Sequence, residues 1–321
     1  MLSTHLIEQA TRFLAGRIRI TPVEPSPLLG EVLGCRAFLK LESLQVTGSF
    51  KVRGALFRLA SLTEDERRKG VATCSAGNHG KAVAYAAQQM GIRATVYVPR
   101  TVDAAKLAGM RALGAEVVLS AFDGFDDTQA WAIEQAGARG LPFVSAFEDD
   151  AVMAGNGGTL AAEVLGQMPG LRTAIVPVGG GGLAAGFAFH AKSLVPDLRI
   201  VCCQHRDSPG LALSLERGWA VTRIDPIDTV AGGLEGGIGV SNFEILRTRV
   251  DDVVLVDEDE IRAATLWLLE HHQYLVEPSG AATVAACLSG RIAGLRGDTA
   301  VVLTGRNVGI GTLRRMLTRV R

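Results

Sequence analysis

Residues 174–190 read AIVPVGGGGLAAGFAFH, and this stretch decides the fold. An apolar, β-branched run leads into four consecutive glycines, Gly179 to Gly182, and a small-residue segment with helical spacing begins near Leu183. Continuous Val and Ile runs mark strands covered on both faces, so the predicted unit is a buried strand, a tight turn and a helix laid back on the sheet. The same alternation recurs outward in both directions. GVATCS, RATVYV, AEVVLS, TAIVPV, RIVCCQ and TAVVLT read as strands, while KAVAYAAQQMG, AAKLAGMRALG, DTQAWAIEQAGARG, GTLAAEVLGQM and EIRAATLWLLEHH read as helices. The expected class is α/β, with open, mostly parallel sheets and flanking helices.

With 321 residues, 48% of them hydrophobic, the chain can bury a sizeable core and divides into two lobes. Residues 50–149 repeat strand and helix and form the smaller one. The preceding stretch, TPVEPSPLLGEVLGCRAFLKLE, reads as a loop, a short helix and a strand; residues 1–49 therefore join 150–321 in the larger lobe. Lys plus Arg equals Asp plus Glu at 33 each, so no net field draws the protein to nucleic acid or to a membrane. The N-terminal MLSTHLIEQATRFLAG scatters His5, Glu8 and Arg12 among apolar residues, unlike a secretory signal, and no apolar run is long enough to span a bilayer. A cytoplasmic location is expected. Cys35, Cys74, Cys202, Cys203 and Cys287 have neither zinc nor disulfide spacing and read as reduced filler residues.

Three strand-to-helix junctions carry candidate chemistry. Glycine permits tight turns, leaves N–H groups accessible and here precedes a helix N-terminus, so Gly179 to Gly182 suit a phosphate; a purely structural turn fits the same residues. The spacing matches neither a P-loop nor a dinucleotide fingerprint. In CSAGNHGKAVAYAA, residues 74–87, Ser75, Asn78 and His79 cluster where loop donors can surround a carboxylate, or can merely cap a helix. In VVLTGRNVGIG, residues 301–311, Thr304 can offer a hydroxyl to a ring nitrogen and Asn307 can satisfy loop backbone groups. Glu277, in VEPSGAATVAA, either faces the cleft or serves as a helix-start charge.

Lys51 lies in TGSFKVRGA, residues 47–55. Most lysines are solvated, as Lys69 and Lys192 are expected to be. A lysine that bonds an aldehyde must present its neutral amine, which requires burial or positive neighbours. The nearby anion turn and carboxylate-like loop make that reading worth pursuing, because together they can bind the two ends of an amino acid joined to a phosphorylated aldehyde.

TGSFKVRGA, SAGNHGKAVA and PVGGGGLAAG, in that order and at these separations, make the chain resemble the fold-type II pyridoxal-phosphate enzymes, in particular the serine/threonine dehydratase branch of the tryptophan-synthase β-like family. The likeness runs from the ITPVEPSPLL region to TGRNVG. It implies a two-domain enzyme whose smaller domain, 50–149, is mobile. It implies that Lys51 holds pyridoxal 5'-phosphate as a Schiff base beside Phe50, and that Gly179, Gly180, Gly181, Gly182 and Leu183 surround the phosphate. Asn78 would bond the phenolic oxygen, Thr304 would face the pyridine nitrogen, and Ser75, Ala76, Gly77, Asn78 and His79 would receive the substrate carboxylate. The implied reaction is α,β-elimination from a β-hydroxy amino acid to a 2-oxo acid and ammonia, in a homodimer.

Some positions depart from that pattern. Ala76 stands where related serine racemases place a proton-donating serine, which argues against two-base racemisation. Gln204 and Gly210, in CCQHRDSPG, replace acidic residues that bind a cation in relatives, so no metal is expected. Asn156, Gly232 and Arg306 are further cleft candidates in altered motifs. The GGIG and GRN patterns resemble those of hydroxyectoine-utilisation dehydratases, which leaves hydroxyaspartate, phenylserine or a hydroxyectoine-derived substrate open beside threonine and serine. Racemisation, β-replacement and a pyridoxal-phosphate-binding regulatory homologue without turnover are the competing readings. The short run after TGRNVG leads us to expect no regulatory domain.

Overall fold

The computed structural model describes residues 1–102 and 104–318. The strands are β1 Val23–Pro25, β2 Arg36–Lys40, β3 Val71–Cys74, β4 Ala94–Val98, β5 Glu116–Leu119, β6 Leu171–Pro177, β7 Arg199–His205, β8 Asp252–Val256 and β9 Asp298–Val302. They form two sheets. The larger has the order β1-β2-β9-β6-β7-β8, and the smaller β3-β4-β5. Every pairing of these strands is parallel except β1 with β2. This is the two-domain α/β architecture expected, with one antiparallel edge. β1 and β8 add two strands to those named from the sequence.

The apolar runs are central where both faces are covered. One face of the larger sheet packs Ala174, Val176, Ile200 and Val302 against the Thr159–Gln167 and Gly182–Leu194 helices. The other packs Ile175, Val201, Val254 and Val301 against the Pro278–Leu288 helix, whose Ala281, Ala282 and Ala285 allow close approach. In the smaller lobe the Lys51–Ala60 and Asn78–Met90 helices cover one face of the sheet, and the Phe125–Ala138 helix covers the other. Among the described residues no helix is long and apolar enough to cross a membrane.

Two features lock the Lys51–Ala60 helix to the larger lobe. Residues 154–158, AGNGG, form a π-helical turn between the Asp150–Met153 and Thr159–Gln167 helices. There the Asn156 side chain, 1% exposed, accepts the Gly54 N–H at 2.8 Å. A methyl at Gly157 would lie 2.1 Å from the Leu183 carbonyl, so this glycine permits contact between two helices rather than ending one. Beneath the same helix Arg53 makes a two-pronged contact with Glu42, both bonds at 2.7 Å, and reaches Glu163 at 2.8 Å. Glu163 also accepts from Lys40. Arg53, Lys40 and Glu42 are essentially inaccessible, so two cations and two carboxylates neutralise each other in the interior. Burial works against the Arg53 charge, but Glu42 and Glu163 outweigh it and hold the guanidinium firmly ionised.

Candidate active site

Lys51 is the first residue of its helix, following a turn that needs Gly48 at φ +79°. That turn is stitched to the end of β9. Phe50 N–H donates to the Thr304 carbonyl, Arg306 N–H donates to the Gly48 carbonyl, and Ser49 bridges Gly305. Lys51 is half-buried as a residue, and its Nζ donates to the Ala146 carbonyl at 2.7 Å and lies 5.2 Å from the centre of the Phe50 ring. Burial pulls its pKa down from the ordinary 10.5 to about 8, against the opposing pull of Glu277. The contrast with Lys69, paired with Asp65 on an exposed helix, is plain.

The residue after Ala146 builds the neighbouring wall. A methyl at Gly180 would sit 2.4 Å from the Phe147 ring, and one at Gly182 would sit 2.6 Å from the Phe147 carbonyl. Gly181 takes φ +92° as the N-cap of the Gly182–Leu194 helix. The Asn242 side chain clips the turn, donating to the Gly180 carbonyl at 2.6 Å and to the Phe147 carbonyl at 3.2 Å, and Gly239 N–H donates to the same Gly180 oxygen. The first amides of a helix have no intrahelical acceptor, so this fixed turn presents donors and the positive end of a helix dipole.

On the small-lobe side, Ser75 and Ala76 are half-buried, Gly77 is exposed, and Ser75 Oγ accepts the Gly77 N–H. His79 is not on the cleft surface. It is 3% exposed, its Nε2 contacts the Val144 carbonyl at 3.2 Å, and its Nδ1 has no partner among the described residues. Burial, helped by the nearby Lys51 charge, lowers its pKa to about 3, so the imidazole is neutral at working pH.

Asn78, which opens the Asn78–Met90 helix, faces the large lobe. Its Nδ2 donates to Glu277 Oε1 at 2.5 Å, and its Oδ1 accepts from Asn307 Nδ2 at 2.6 Å. Glu277 therefore faces the cleft while also being the N-cap residue of the Pro278–Leu288 helix. Burial raises its carboxyl to about 7, although Asn78 and the surrounding Lys106, Lys81 and Lys51 oppose the shift. Thr304, 5% exposed, closes the end of β9.

The remaining candidates are placed differently. Asn156 supports the Lys51–Ala60 helix from below, as described above. Gly232 is exposed in a loop, and a methyl there would meet nothing. Arg306 is half-buried and close enough to Lys81 to help depress its pKa after burial has done most of the work. Gln204 turns its Oε1 to the Leu211 and Ala212 amides, and His205 Nε2 lies 3.4 Å from Glu258. Among the described residues no three His, Cys, Asp or Glu side chains gather as metal ligands. The sequence reading missed Val144 to Phe147, the segment whose carbonyls meet His79 and Lys51 and whose ring supports the glycine turn, and it missed Asn242. Nothing in the composition of Ser145-Ala146-Phe147 marks it, because two of these contacts are made by main-chain carbonyls.

An amine able to lose its proton, a glycine turn at a helix N-terminus and a carboxamide line the lobe junction, with Thr304 next to Phe50 at the end of β9. This donor set fits a phosphorylated aldehyde. A family model described as pyridoxal-phosphate dependent enzyme matches residues 14–305. The chain belongs to that family. It is 39% identical over 320 residues to the L-threonine ammonia-lyase of Geobacter sulfurreducens, an alignment covering 99% of this chain and 79% of that one. It is also 39% identical over 291 residues to the catabolic L-threonine dehydratase of Escherichia coli K12, covering 89% and 86%. Among solved structures, maize serine racemase superposes with a TM-score of 0.89 at 30% identity, covering 99% of this chain and 97% of the other. The processed form of threonine deaminase isoform 2 from Solanum lycopersicum gives 0.88 at 30%, covering 98% and 88%.

Proposed function

We infer that this protein is a pyridoxal-phosphate-dependent ammonia-lyase that converts a β-hydroxy amino acid of the threonine or serine type to a 2-oxo acid and ammonia. The observation that carries this reading is Lys51: its amine is enclosed in the cleft, its pKa is drawn down to about 8, and it shares the Ala146–Phe147 wall with the glycine turn. Lys51 would hold the cofactor, the amides of Gly179 to Leu183 its phosphate, Asn78 its phenolic oxygen and Thr304 its ring nitrogen. When bound, the cofactor supplies a conjugated imine that takes up the electrons of the substrate's Cα–H bond.

The protein's own groups do the rest. The free Lys51 Nζ would accept the Cα proton; a value near 8 leaves a usable neutral fraction near pH 7 and a conjugate acid able to return the proton. Thr304 offers a neutral hydroxyl where a carboxylate would hold a ring nitrogen protonated, which favours prompt loss of the β-hydroxyl over a long-lived carbanion. The loop Ser75 to His79 supplies hydroxyl and amide donors for the substrate carboxylate, and neutral His79 adds no charge beneath it. The resemblance also supports a homodimer, which light scattering of the purified protein tests.

The racemase among the structural relatives favours a second reading, racemisation at the same site. Ala76 weighs against it, because a methyl group cannot deliver a proton to the face opposite Lys51. One panel decides between them. Threonine, serine, hydroxyaspartate and phenylserine are each incubated with the enzyme, and oxo acid, ammonia and enantiomer ratio are measured from the same samples. Oxo acid and ammonia in equal amounts, exceeding inverted amino acid, are expected. Racemisation outrunning elimination on serine would reverse the assignment.

A further inference from the structure

We propose that Glu277, Asn307 and Lys81 are positioning residues that turn Asn78 into a donor-only group toward the cofactor; this rests on attachment of the cofactor at Lys51. A carboxamide presents an acceptor and a donor face and can rotate to exchange them. The chain of contacts around Asn78 removes that freedom, and its Asn307 end is fixed by a main-chain carbonyl that can only accept.

Lys81 Nζ, a donor without acceptor capacity, contacts Asn307 Oδ1 at 2.9 Å. The Thr47 main-chain carbonyl, an acceptor without a donor, takes one N–H of Asn307 Nδ2 at 2.9 Å. Asn307 is thereby fixed with its nitrogen toward Asn78, and its other N–H meets Asn78 Oδ1. At the opposite end, Glu277 Oε1 accepts from Asn78 Nδ2. Asn78 thus has its oxygen filled and one N–H committed, leaving its second N–H to offer. A group that can only donate stabilises an ionised phenolic oxygen over a protonated one.

The arrangement also spans the two lobes. Asn78 and Lys81 lie one turn apart on the Asn78–Met90 helix of the smaller lobe, whereas Glu277 and Asn307 lie in the larger. A methyl at Gly305 would fall 2.0 Å from Glu277 Oε1, so the carboxylate is pressed against the main chain and has little room to swing away.

The test reverses the polarity of the chain. Asn307→Asp keeps the shape but removes both N–H donors, so Asn78 is left with its oxygen facing a carboxylate and rotates. Cofactor affinity, measured by fluorescence titration of the cofactor-free protein, should fall about tenfold, and the visible absorption band of the bound cofactor should shift. Adding Glu277→Gln supplies a donor at the other end, so the new carboxylate accepts, the new carboxamide donates and Asn78 is held in the rotated state between them. This double variant is expected to regain the part of the thermal midpoint lost at Asn78, the Thr47 carbonyl staying unpaired, without regaining the parent spectrum. A merely structural role makes the two recover together, and that result overturns the proposal, as does Asn307→Asp with parent affinity and spectrum. Should Asn307→Asp alone yield no folded protein, the double variant is compared with Glu277→Gln, and identical spectra refute the idea. Failure of the underlying reading registers separately: borohydride reduction of the parent would then leave no cofactor on the Lys51 peptide.

Discussion

Replacing Lys51 with methionine isolates the energetic cost of keeping a reactive amine inside the cleft. Elimination should be abolished, since Lys51 alone among the described residues holds its amine against the Ala146–Phe147 wall. The more discriminating readout is stability of the cofactor-free protein as a function of pH. In the folded protein the amine titrates near 8, against 10.5 when exposed, so between these values the unfolded chain binds more protons than the folded one. Stability of the parent therefore rises with pH through this window, because ∂ΔG/∂pH has the sign of protons bound unfolded minus folded. At about 1.4 kcal/mol per tenfold, the full difference is roughly 3 kcal/mol, most of which lies between pH 7 and pH 10. Methionine at 51 cannot titrate. Urea denaturation of the two cofactor-free proteins should show the variant gaining about 2–3 kcal/mol on the parent at pH 7 relative to pH 10. The comparison cancels the lost bond to Ala146, which is common to both pH values, and the titration of surface lysines, which is common to both proteins; Glu277, which titrates near 7 and feels the Lys51 charge, is removed by making both measurements in a Glu277→Gln background. A difference between the two proteins that stays flat from pH 7 to pH 10 would refute the argument that burial lowers the Lys51 pKa.

Arg53→Met should destabilise the fold by about 3–5 kcal/mol, seen as a large fall in thermal midpoint, because it leaves Glu42 and Glu163 facing Lys40 with one cation too few. Gly180→Ala drives a methyl into the Phe147 ring, with an expected penalty of about 1–3 kcal/mol and weaker cofactor binding. Adding Phe147→Leu should return part of both losses, and independence of the two changes would count against this contact. Exhaustive chelation should leave the elimination rate unchanged, since Gln204 spends its side-chain oxygen on the Leu211 and Ala212 amides; activity lost to chelator and restored by magnesium alone would contradict this.

The elements legible in the sequence were those whose signal is local. Continuous apolar runs such as TAVVLT mark β9 because a strand buried on both faces must be apolar throughout. β1 is only three residues, Val-Glu-Pro, and carries no such run, whereas β8 does carry one, residues 253–256, half-exposed at the sheet edge, and the sequence reading passed over it. The glycine turn and Lys51 were readable for a related reason, since backbone conformation and a nucleophile reside in the residues themselves. What escaped was the complementary half of each contact. Ala146 and Phe147 act on Lys51 and on the glycines through carbonyl oxygens and a ring edge, and a main-chain carbonyl has no residue-type signature. Glycine itself was ambiguous: the AGNGG stretch resembles loop punctuation, yet Gly157 lies inside a helical segment because the facing Leu183–Phe187 backbone leaves no space for a side chain. The same ambiguity held for Glu277, where a helix-start charge and a cleft carboxylate were competing readings. The fold favours the cleft: Glu277 stands at the N-cap position but its carboxyl makes no cap hydrogen bond, and burial beside Gly305 and Asn78 raises its pKa. Local sequence thus specifies which groups are available, and chain crossing at the lobe junction decides which of them meet.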